Sequence, residues 1–148
     1  MNQIIKNILG WVAYFLIIFG FIYGIPRLMS YALNTPYPMA AITSGSMWPA
    51  LKTGDIVFIR GIKDKSELAI GDIIVYRNPS SDSGQASGFT IHRVIKLNSD
   101  AAITRGDANN ANDAPVPYGE IVGMAVSYNN KPVRIPMLGD INILLSKK

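Results

Sequence analysis

The first third of the chain carries almost no charge. Between Lys6 and Arg27 lie only uncharged residues, 7–26, and the centre of this stretch is a continuous apolar run at 11–19. A helix that rises about 1.5 Å per residue over this length spans about 30 Å, the thickness of the hydrocarbon core of a bilayer. The pattern therefore predicts one transmembrane helix, with residues 1–30 as a membrane anchor.

A cleaved secretory signal is the alternative interpretation of this stretch. Residues 30–32 are Ser-Tyr-Ala, which places small residues at the spacing of a cleavage site. The uncharged stretch is longer than the apolar region of about 7 to 15 residues in signal peptides, and this favours a retained anchor. The start amine and Lys6 outnumber Arg27, so the positive-inside rule predicts a cytoplasmic N-terminus and an extracytoplasmic remainder at 31–148.

Beyond Pro38 the pattern changes to short runs rich in β-branched residues. Clusters of Gly, Pro, Asn and Ser separate these runs, and no apolar period of 3.6 residues extends beyond two turns. We therefore expect a mainly β domain at 31–148, with a surface loop at 80–88 and an apolar patch at 141–145 that is too short to span a membrane. The predicted strands are 55–60, 72–77, 89–97, 121–126 and 132–135.

Composition narrows the function. The 148 residues are 49% hydrophobic and 16% charged, which fits one domain plus an attachment and excludes a disordered chain. Residues 28–148 carry 12 basic and 10 acidic groups, with no basic run longer than Lys147-Lys148, so a nucleic-acid partner is not expected. With no cysteine and one histidine, the chain has no disulfide or cysteine nucleophile and too few ligands for zinc; no metal or cofactor is expected.

The densest unusual cluster lies at 44–49. Two hydroxyls, Ser44 and Ser46, flank a glycine, and Met47, Trp48 and Pro49 follow. The proline favours an extended conformation of the residue before it. Because Ser-Gly-Ser is common in turns, this cluster alone is weak support for a nucleophile.

The single histidine lies in a predicted strand. Residues 90–95 are mostly β-branched, and alternation along a strand places Thr90, His92 and Val94 on one face. Lys96 has the same parity and is a second candidate base. A lone histidine in a strand is more often a packing residue than a functional one, so His92 needs partners to indicate chemistry.

Two carboxylates follow in an Asn-rich loop. Asp107 and Asp113 lie six positions apart, where aspartates usually form solvated turns. A calcium loop is the other interpretation, but the EF-hand spacing fails because no glutamate stands at the twelfth position and no flanking helices are predicted.

Together these three elements supply what a hydroxyl nucleophile needs. A serine hydroxyl is barely ionised at neutral pH, so a base must take its proton as it attacks, and histidine suits that task. A carboxylate behind the imidazole fixes its tautomer and stabilises the cation that forms. The chain order Ser, His, Asp is not diagnostic, because unrelated folds use other orders.

Four ordered motifs carry a family resemblance. They are 44–49 (SGSMWP), 54–57 (GDIV), 91–95 (IHRVI) and 106–113 (GDANNAND), and as a set they resemble the boxes of type I signal peptidases. Members of the bacterial branch use a lysine as the base. The histidine at the matching place makes this chain similar to the archaeal and endoplasmic-reticulum-type branch, also found in some Gram-positive bacteria.

The resemblance implies roles for individual residues. Ser46 matches the nucleophile, and His92 matches the general base, which later protonates the leaving amine. Asp113 matches the carboxylate that orients the base, and Asp107 matches a second acidic residue of the family. The backbone N–H of Ser46, helped by the Ser44 hydroxyl, would bind the oxyanion.

Two positions depart from the family pattern. Ala108 stands where an asparagine usually follows the first aspartate, so the resemblance leaves open which aspartate contacts the histidine. Ala50 stands where a threonine is frequent, which we interpret as a packing change.

The implied function is that of a membrane-bound serine endopeptidase, a signal peptidase I, with a signal-peptidase-like β catalytic domain. Its substrates are preproteins whose signal peptide ends in small residues, bound as an added strand, with Met47 and Ile91 as candidates for lining the pockets. The implied partners are these preproteins, membrane lipid and subunits of the secretion machinery, at the cell membrane or on the lumenal face of the endoplasmic reticulum. A same-fold protease dedicated to one exported substrate, or an anchored β-domain that binds peptides or scaffolds a complex without catalysis, are the alternatives.

Overall fold

The N-terminal element is a long apolar helix. The computed structural model describes residues 2–77 and 88–137, and its first element is helix α1, Gln3–Ala32. Over an 18-residue window the mean hydropathy of α1 is 2.2 and none of the window is buried, so α1 is long and apolar enough to cross a membrane. The helix begins before the predicted span 7–26, ends after it, and continues through Pro26.

The end of α1 is tied to the sheet. Asn34 adopts a φ of 50°, the left-handed conformation that closes a helix, and Thr35 N–H donates to Ser30 O at 3.1 Å. Gly61 N–H then donates to Leu33 O at 2.8 Å. A Cβ at Gly61 would lie 1.9 Å from Asn34 O, so only glycine permits this close approach of the strand to the helix end.

The described remainder is mostly β structure, as the sequence predicts. The strands are β1 Met39–Ala41, β2 Ile56–Arg60, β3 Ile73–Arg77, β4 Phe89–Leu97, β5 Ala101–Arg105, β6 Val116–Pro117, β7 Ile121–Ala125, β8 Ser127–Tyr128, β9 Lys131–Pro132 and β10 Arg134–Ile135. One sheet has the strand order β1-β2-β7-β3-β4-β5-β6, with β10 also paired to β2, and β8 and β9 form a separate hairpin. All of these pairs are antiparallel.

Two hydrophobic clusters cover the two faces of the sheet. In β3 four consecutive residues are buried; Ile73 packs into one cluster with Met47 and Leu51, whereas Ile74 and Tyr76 pack into the other. A strand buried on both faces has a continuous apolar sequence, which explains why β3 was predictable without alternation. The fold class, mainly β with one N-terminal apolar helix, is confirmed.

The strand boundaries agree in part with the predictions. Four predicted strands match β2, β3, β4 and β7 to within one residue, whereas the predicted strand 132–135 is the end of β9 followed by β10. Four strands were not predicted: β1, β5, β6 and β8. Two of them, β1 and β5, contain adjacent alanines, which have low β propensity, and β6 and β8 have only two residues each. The predicted loop at 80–88, except Gly88, and the patch at 141–145 lie outside the described residues.

Candidate active site

Ser46 lies in a turn that backbone contacts hold in place. Ala108 N–H donates to Ser46 O at 2.8 Å, and the neighbouring Met47 is buried in the core with 1% exposure. A Cβ at Gly106 would lie 2.7 Å from Ser46 O, so a larger residue at 106 would push the two loops apart. The peptide bond between Trp48 and Pro49 in this turn is cis.

His92 lies on β4 and faces this turn. Its Nε2 atom is 3.1 Å from Ser46 Oγ, within hydrogen-bond distance. The alternation predicted from the sequence holds here, because His92 and Val94 are buried and the residues between and beside them are half-buried. The side chain of His92 is therefore fixed by the strand and shielded from bulk water.

Asp113 binds the other side of the imidazole. Its Oδ2 atom is 2.6 Å from His92 Nδ1. The same oxygen accepts hydrogen bonds from Thr104 Oγ1 at 2.6 Å and from the Tyr76 hydroxyl at 3.2 Å. The Asp113 N–H donates to Thr104 O at 2.8 Å, which holds the loop against β5. The carboxylate that contacts the histidine, left open by the sequence, is thus Asp113.

These contacts select one tautomer of His92. A carboxylate oxygen accepts hydrogen bonds and does not donate them, so the imidazole proton belongs on Nδ1. The lone pair of Nε2 then faces Ser46 Oγ. Burial raises the pKa of the Tyr76 phenol, and the nearby Asp113 charge adds to this effect, so the phenol stays protonated as a donor. The arrangement is one in which a hydroxyl proton can pass to the imidazole while the carboxylate balances the charge.

Asp107 lies at the start of the same loop and has a different partner. Arg93 binds both of its carboxylate oxygens, with Nε 2.8 Å from Oδ1 and Nη2 2.6 Å from Oδ2. Arg93 Nη1 also donates to Gly71 O at 2.8 Å. The hydrogen bonds to Asp107 raise the pKa of the guanidinium. Asp107 has no described contact with His92, and it lies in an ion pair that fixes the loop packed on Ser46.

A small cleft opens beside Ser46 and His92. It has a volume of about 140 Å³ and is lined by residues 41–44, 46–47 and 89–92. Met47 and Ile91, the predicted pocket residues, both lie in its wall, although Met47 is also part of the core. The Ser44 hydroxyl is 3.1 Å from Ser46 Oγ, so it too borders the position where a reacting carbonyl would lie.

Two residues of this site could not be identified as site residues from the sequence alone. Thr104 and Tyr76 lie on strands and were predicted neither as site residues nor as partners of Asp113; their positions opposite Val94 and Thr90 in the register bring them there. Lys96, the second candidate base, is exposed, because the β4–β5 register shifts between Val94 and Lys96 and breaks the simple parity. A bulge of this kind has no signal in the local sequence.

A hydroxyl, an imidazole and a carboxylate joined in this order are the arrangement of serine hydrolases. No protein-family model matches the chain. The signal peptidase complex catalytic subunit SEC11 of Metarhizium acridum is 31% identical over 131 residues, which cover 80% of this chain and 70% of the fungal protein. The SEC11 subunit of Zygosaccharomyces rouxii is 29% identical over 134 residues, 80% of this chain and 72% of that protein.

The chain belongs to the family of signal peptidase complex catalytic subunits. The resemblance to the endoplasmic-reticulum-type branch of type I signal peptidases is thereby confirmed.

Proposed function

We propose that this chain is a membrane-bound serine endopeptidase that removes N-terminal signal peptides from exported preproteins. The observation that carries the proposal is the unbroken line of contacts from Ser46 Oγ through His92 to Asp113, at 3.1 and 2.6 Å, in a member of this family. A domain that only binds peptides has no need for this alignment.

In the first half of the reaction, Ser46 Oγ attacks the carbonyl carbon of the scissile bond. Nε2 of His92 takes the hydroxyl proton, and Asp113 stabilises the imidazolium that forms. The negative charge moves to the carbonyl oxygen. When the C–N bond breaks, the imidazolium gives its proton to the leaving amine of the mature protein, and the signal peptide remains as an ester on Ser46.

In the second half, water replaces the leaving amine. His92 accepts a proton from the water, whose oxygen attacks the ester carbon, and the proton then returns to Ser46 Oγ as the ester bond breaks. The products are the restored hydroxyl and the free carboxyl group of the signal peptide, which releases its proton to solvent at neutral pH. Each proton taken by the imidazole is returned, so the enzyme ends the cycle unchanged.

Two groups beside the nucleophile are placed to stabilise the oxyanion. The backbone N–H of Ser46 has no acceptor among the described residues, and the Ser44 hydroxyl lies 3.1 Å from Ser46 Oγ. One donor of this kind is worth about 3 to 4 kcal/mol in the transition state. Their position next to the cleft supports binding of the carbonyl oxygen at the turn that begins with Ser44.

The cleft supports a preference for small side chains before the cleaved bond. Its volume of about 140 Å³ leaves room for alanine-like groups, and its walls include the apolar Met47 and Ile91. An extended peptide laid along β4 would direct alternate side chains into this space. This geometry fits small residues one and three positions before the bond.

We assign residues 1–30 to the membrane anchor and residues 31–148 to the catalytic domain. The charge bias around α1 supports a cytoplasmic N-terminus and a catalytic domain on the lumenal or outer face of the membrane. The endoplasmic-reticulum-type resemblance supports a location in the endoplasmic reticulum membrane. The names of the relatives, which describe a catalytic subunit of a signal peptidase complex, support a partnership with other subunits of such a complex. The anchor then holds the site near substrates whose own apolar segment is in the same bilayer, which raises the effective concentration.

The test is cleavage of a preprotein by the purified chain in detergent micelles or liposomes. Ser46→Ala removes one oxygen and is expected to abolish cleavage while signal-peptide binding persists. The matched control is Ser99→Ala, an exposed serine in the β4–β5 turn, which should cut at the wild-type rate.

Two results would contradict the proposal. If Ser46→Ala still cleaves at the wild-type rate, another nucleophile acts. If the wild-type chain binds signal peptides but cleaves none, alone or with its complex, the anchored binding domain is the better description.

A further inference from the structure

A second depression is larger than the cleft and has cationic walls. We call it the basic groove; it has a volume of about 650 Å³, in the range of ligand sites, and its walls include Pro49, Ala50, Arg93, Arg105, Lys131 and Arg134. Among the described residues, by contrast, the cleft lined by 41–44, 46–47 and 89–92 has no Asp, Glu, Lys or Arg side chain in its wall. No residue in the described ranges lines both depressions.

The basic groove continues the line of the cleft past Ser46. On the first segment the cleft borders residues up to Met47, and the groove borders Pro49 and Ala50. On β4 the cleft borders residues up to His92, and the groove begins at Arg93. Along both segments the two depressions therefore follow one another, with the reacting pair of side chains at the boundary.

A backbone contact joins the groove to the nucleophile. Asp107 lines the groove, and the next residue, Ala108, donates its N–H to Ser46 O at 2.8 Å. The groove is thus within reach of the first residues of a peptide that leaves the cleft on the far side of the scissile bond.

The groove has a surplus of positive charge. Arg93 is paired with Asp107, and Arg134 is paired with the buried Asp55 at 2.6 Å. Among the described residues Arg105 and Lys131 have no carboxylate within ion-pair distance, and both are exposed. The hairpin of β8 and β9 turns at Asn129 and Asn130, which both adopt the left-handed conformation, and this turn places Lys131 in the wall of the basic groove.

We propose that the basic groove binds the first residues after the cleaved bond and that Arg105 and Lys131 select acidic side chains there. This inference rests on the proposed function, because it assigns the leaving side of the same reaction. The neutral cleft takes the small residues before the bond, and the cationic groove takes a mature N-terminus that carries Asp or Glu.

The test uses three preproteins that are identical up to the cleaved bond. Their first three residues after it carry two aspartates, two serines or two lysines, and kcat/KM is measured in neutral detergent at low salt. Exposed charge pairs change such constants by about two- to fivefold each, so the wild type should prefer the acidic substrate over the lysine substrate by about tenfold or more, and less at high salt.

Two double variants test whether Arg105 and Lys131 cause the preference for the acidic substrate. Arg105→Gln with Lys131→Gln should reduce the preference to about twofold, and an unfolding temperature equal to that of the wild type shows that the variant is folded. Arg105→Glu with Lys131→Glu should reverse the preference. The control, Lys63→Gln with Lys96→Gln, removes the same charge from exposed positions outside the groove and should leave the preference intact.

Three outcomes overturn the proposal. One is a wild type that cleaves all three substrates equally, and another is a preference that the groove variants do not alter. The third is a double Gln variant that keeps the charge preference but loses activity only in vesicles with anionic lipid, which would make the groove a membrane contact. A wild type that cleaves none of the three would instead contradict the proposed function itself.

Discussion

The loop at 106–113 places two aspartates at its two ends, and the ends differ in what they touch. Asp113 accepts hydrogen bonds from an imidazole and two hydroxyls, whereas both carboxylate oxygens of Asp107 accept hydrogen bonds from the guanidinium of Arg93. The Asp113 end meets the imidazole that is to change its charge during the reaction. The Asp107 end is a fixed ion pair that holds the loop. The two aspartates therefore serve different functions, and their hydrogen-bond partners determine which function each one serves.

Of the changes at the two ends of the loop, removal of the Asp113 carboxylate should give the largest effect. Asp113→Ala leaves His92 without the acceptor that fixes its tautomer, and loss of this group in a Ser-His-Asp site costs about 10⁴-fold in kcat. Asp107→Ala should cost much less. The measurement is the cleavage rate of a preprotein by both variants, and equal losses would erase the distinction between the two ends.

The acid side of the pH profile tests the Asp113 end. An imidazolium cannot accept the Ser46 proton, so kcat/KM should fall as the pH is lowered. Arg93 is not the source of this limb, because its hydrogen bonds to Asp107 raise its pKa and keep it charged. A pH profile of the wild type checks this, and a flat acid limb would point to another base.

Loss of Arg93 tests the Asp107 end. Arg93→Gln removes two charged hydrogen bonds to Asp107 and one to Gly71 O, a partly buried set worth about 1 to 3 kcal/mol. We expect a lower unfolding temperature and a fall in kcat of about tenfold, because the loop that packs on Ser46 loosens.

The control for this variant is Arg60→Gln. It breaks the more exposed pair of Arg60 with Glu67, and surface pairs of this kind contribute about 0 to 1 kcal/mol. Its activity should be unchanged. If Arg93→Gln behaves like Arg60→Gln in both stability and rate, the Asp107 end does not support the site.

The smallest effect should come from the hydroxyls behind Asp113. Tyr76→Phe removes the 3.2 Å hydrogen bond to Asp113 and the longer one, 3.4 Å, that the hydroxyl accepts from Thr104 Oγ1. Asp113 keeps its own contacts with His92 and Thr104, so kcat should fall about two- to fivefold. Tyr118→Phe, the control, also deletes a phenol hydrogen bond, to Asn98 O at 2.6 Å, and should not change kcat. If the two variants cleave at equal rates, the Tyr76 hydroxyl does not support catalysis and the side chain contributes only packing.

The sequence predicted the helix, the β class and the two side chains that meet across the site. Local patterns suffice for these, because an apolar run and an alternating strand are signals within one segment. Thr104 and Tyr76 were missed because their role depends on register between strands. The sequence did not determine whether Asp107 or Asp113 contacts His92, because the spacing of residues in a loop does not reveal which carboxylate faces the imidazole.

The exposed position of Lys96 shows the same limit in a strand. Parity along β4 predicted that it shares a face with His92, but a bulge after Val94 changes the pairing. Such a shift depends on the partner strand β5, whose alanines gave no strand signal of their own. The features that could not be predicted are therefore the contacts that depend on how two segments of the chain pair with each other.

The role of His92 as the base is tested most directly by the rate at which His92→Ala cleaves a preprotein at neutral pH, compared with Lys96→Gln on the same strand. Because Nε2 of His92 is the group 3.1 Å from Ser46 Oγ, the first variant should lose cleavage by about 10⁴-fold or more and the second should keep the wild-type rate. Cleavage by His92→Ala at the wild-type rate would contradict the account.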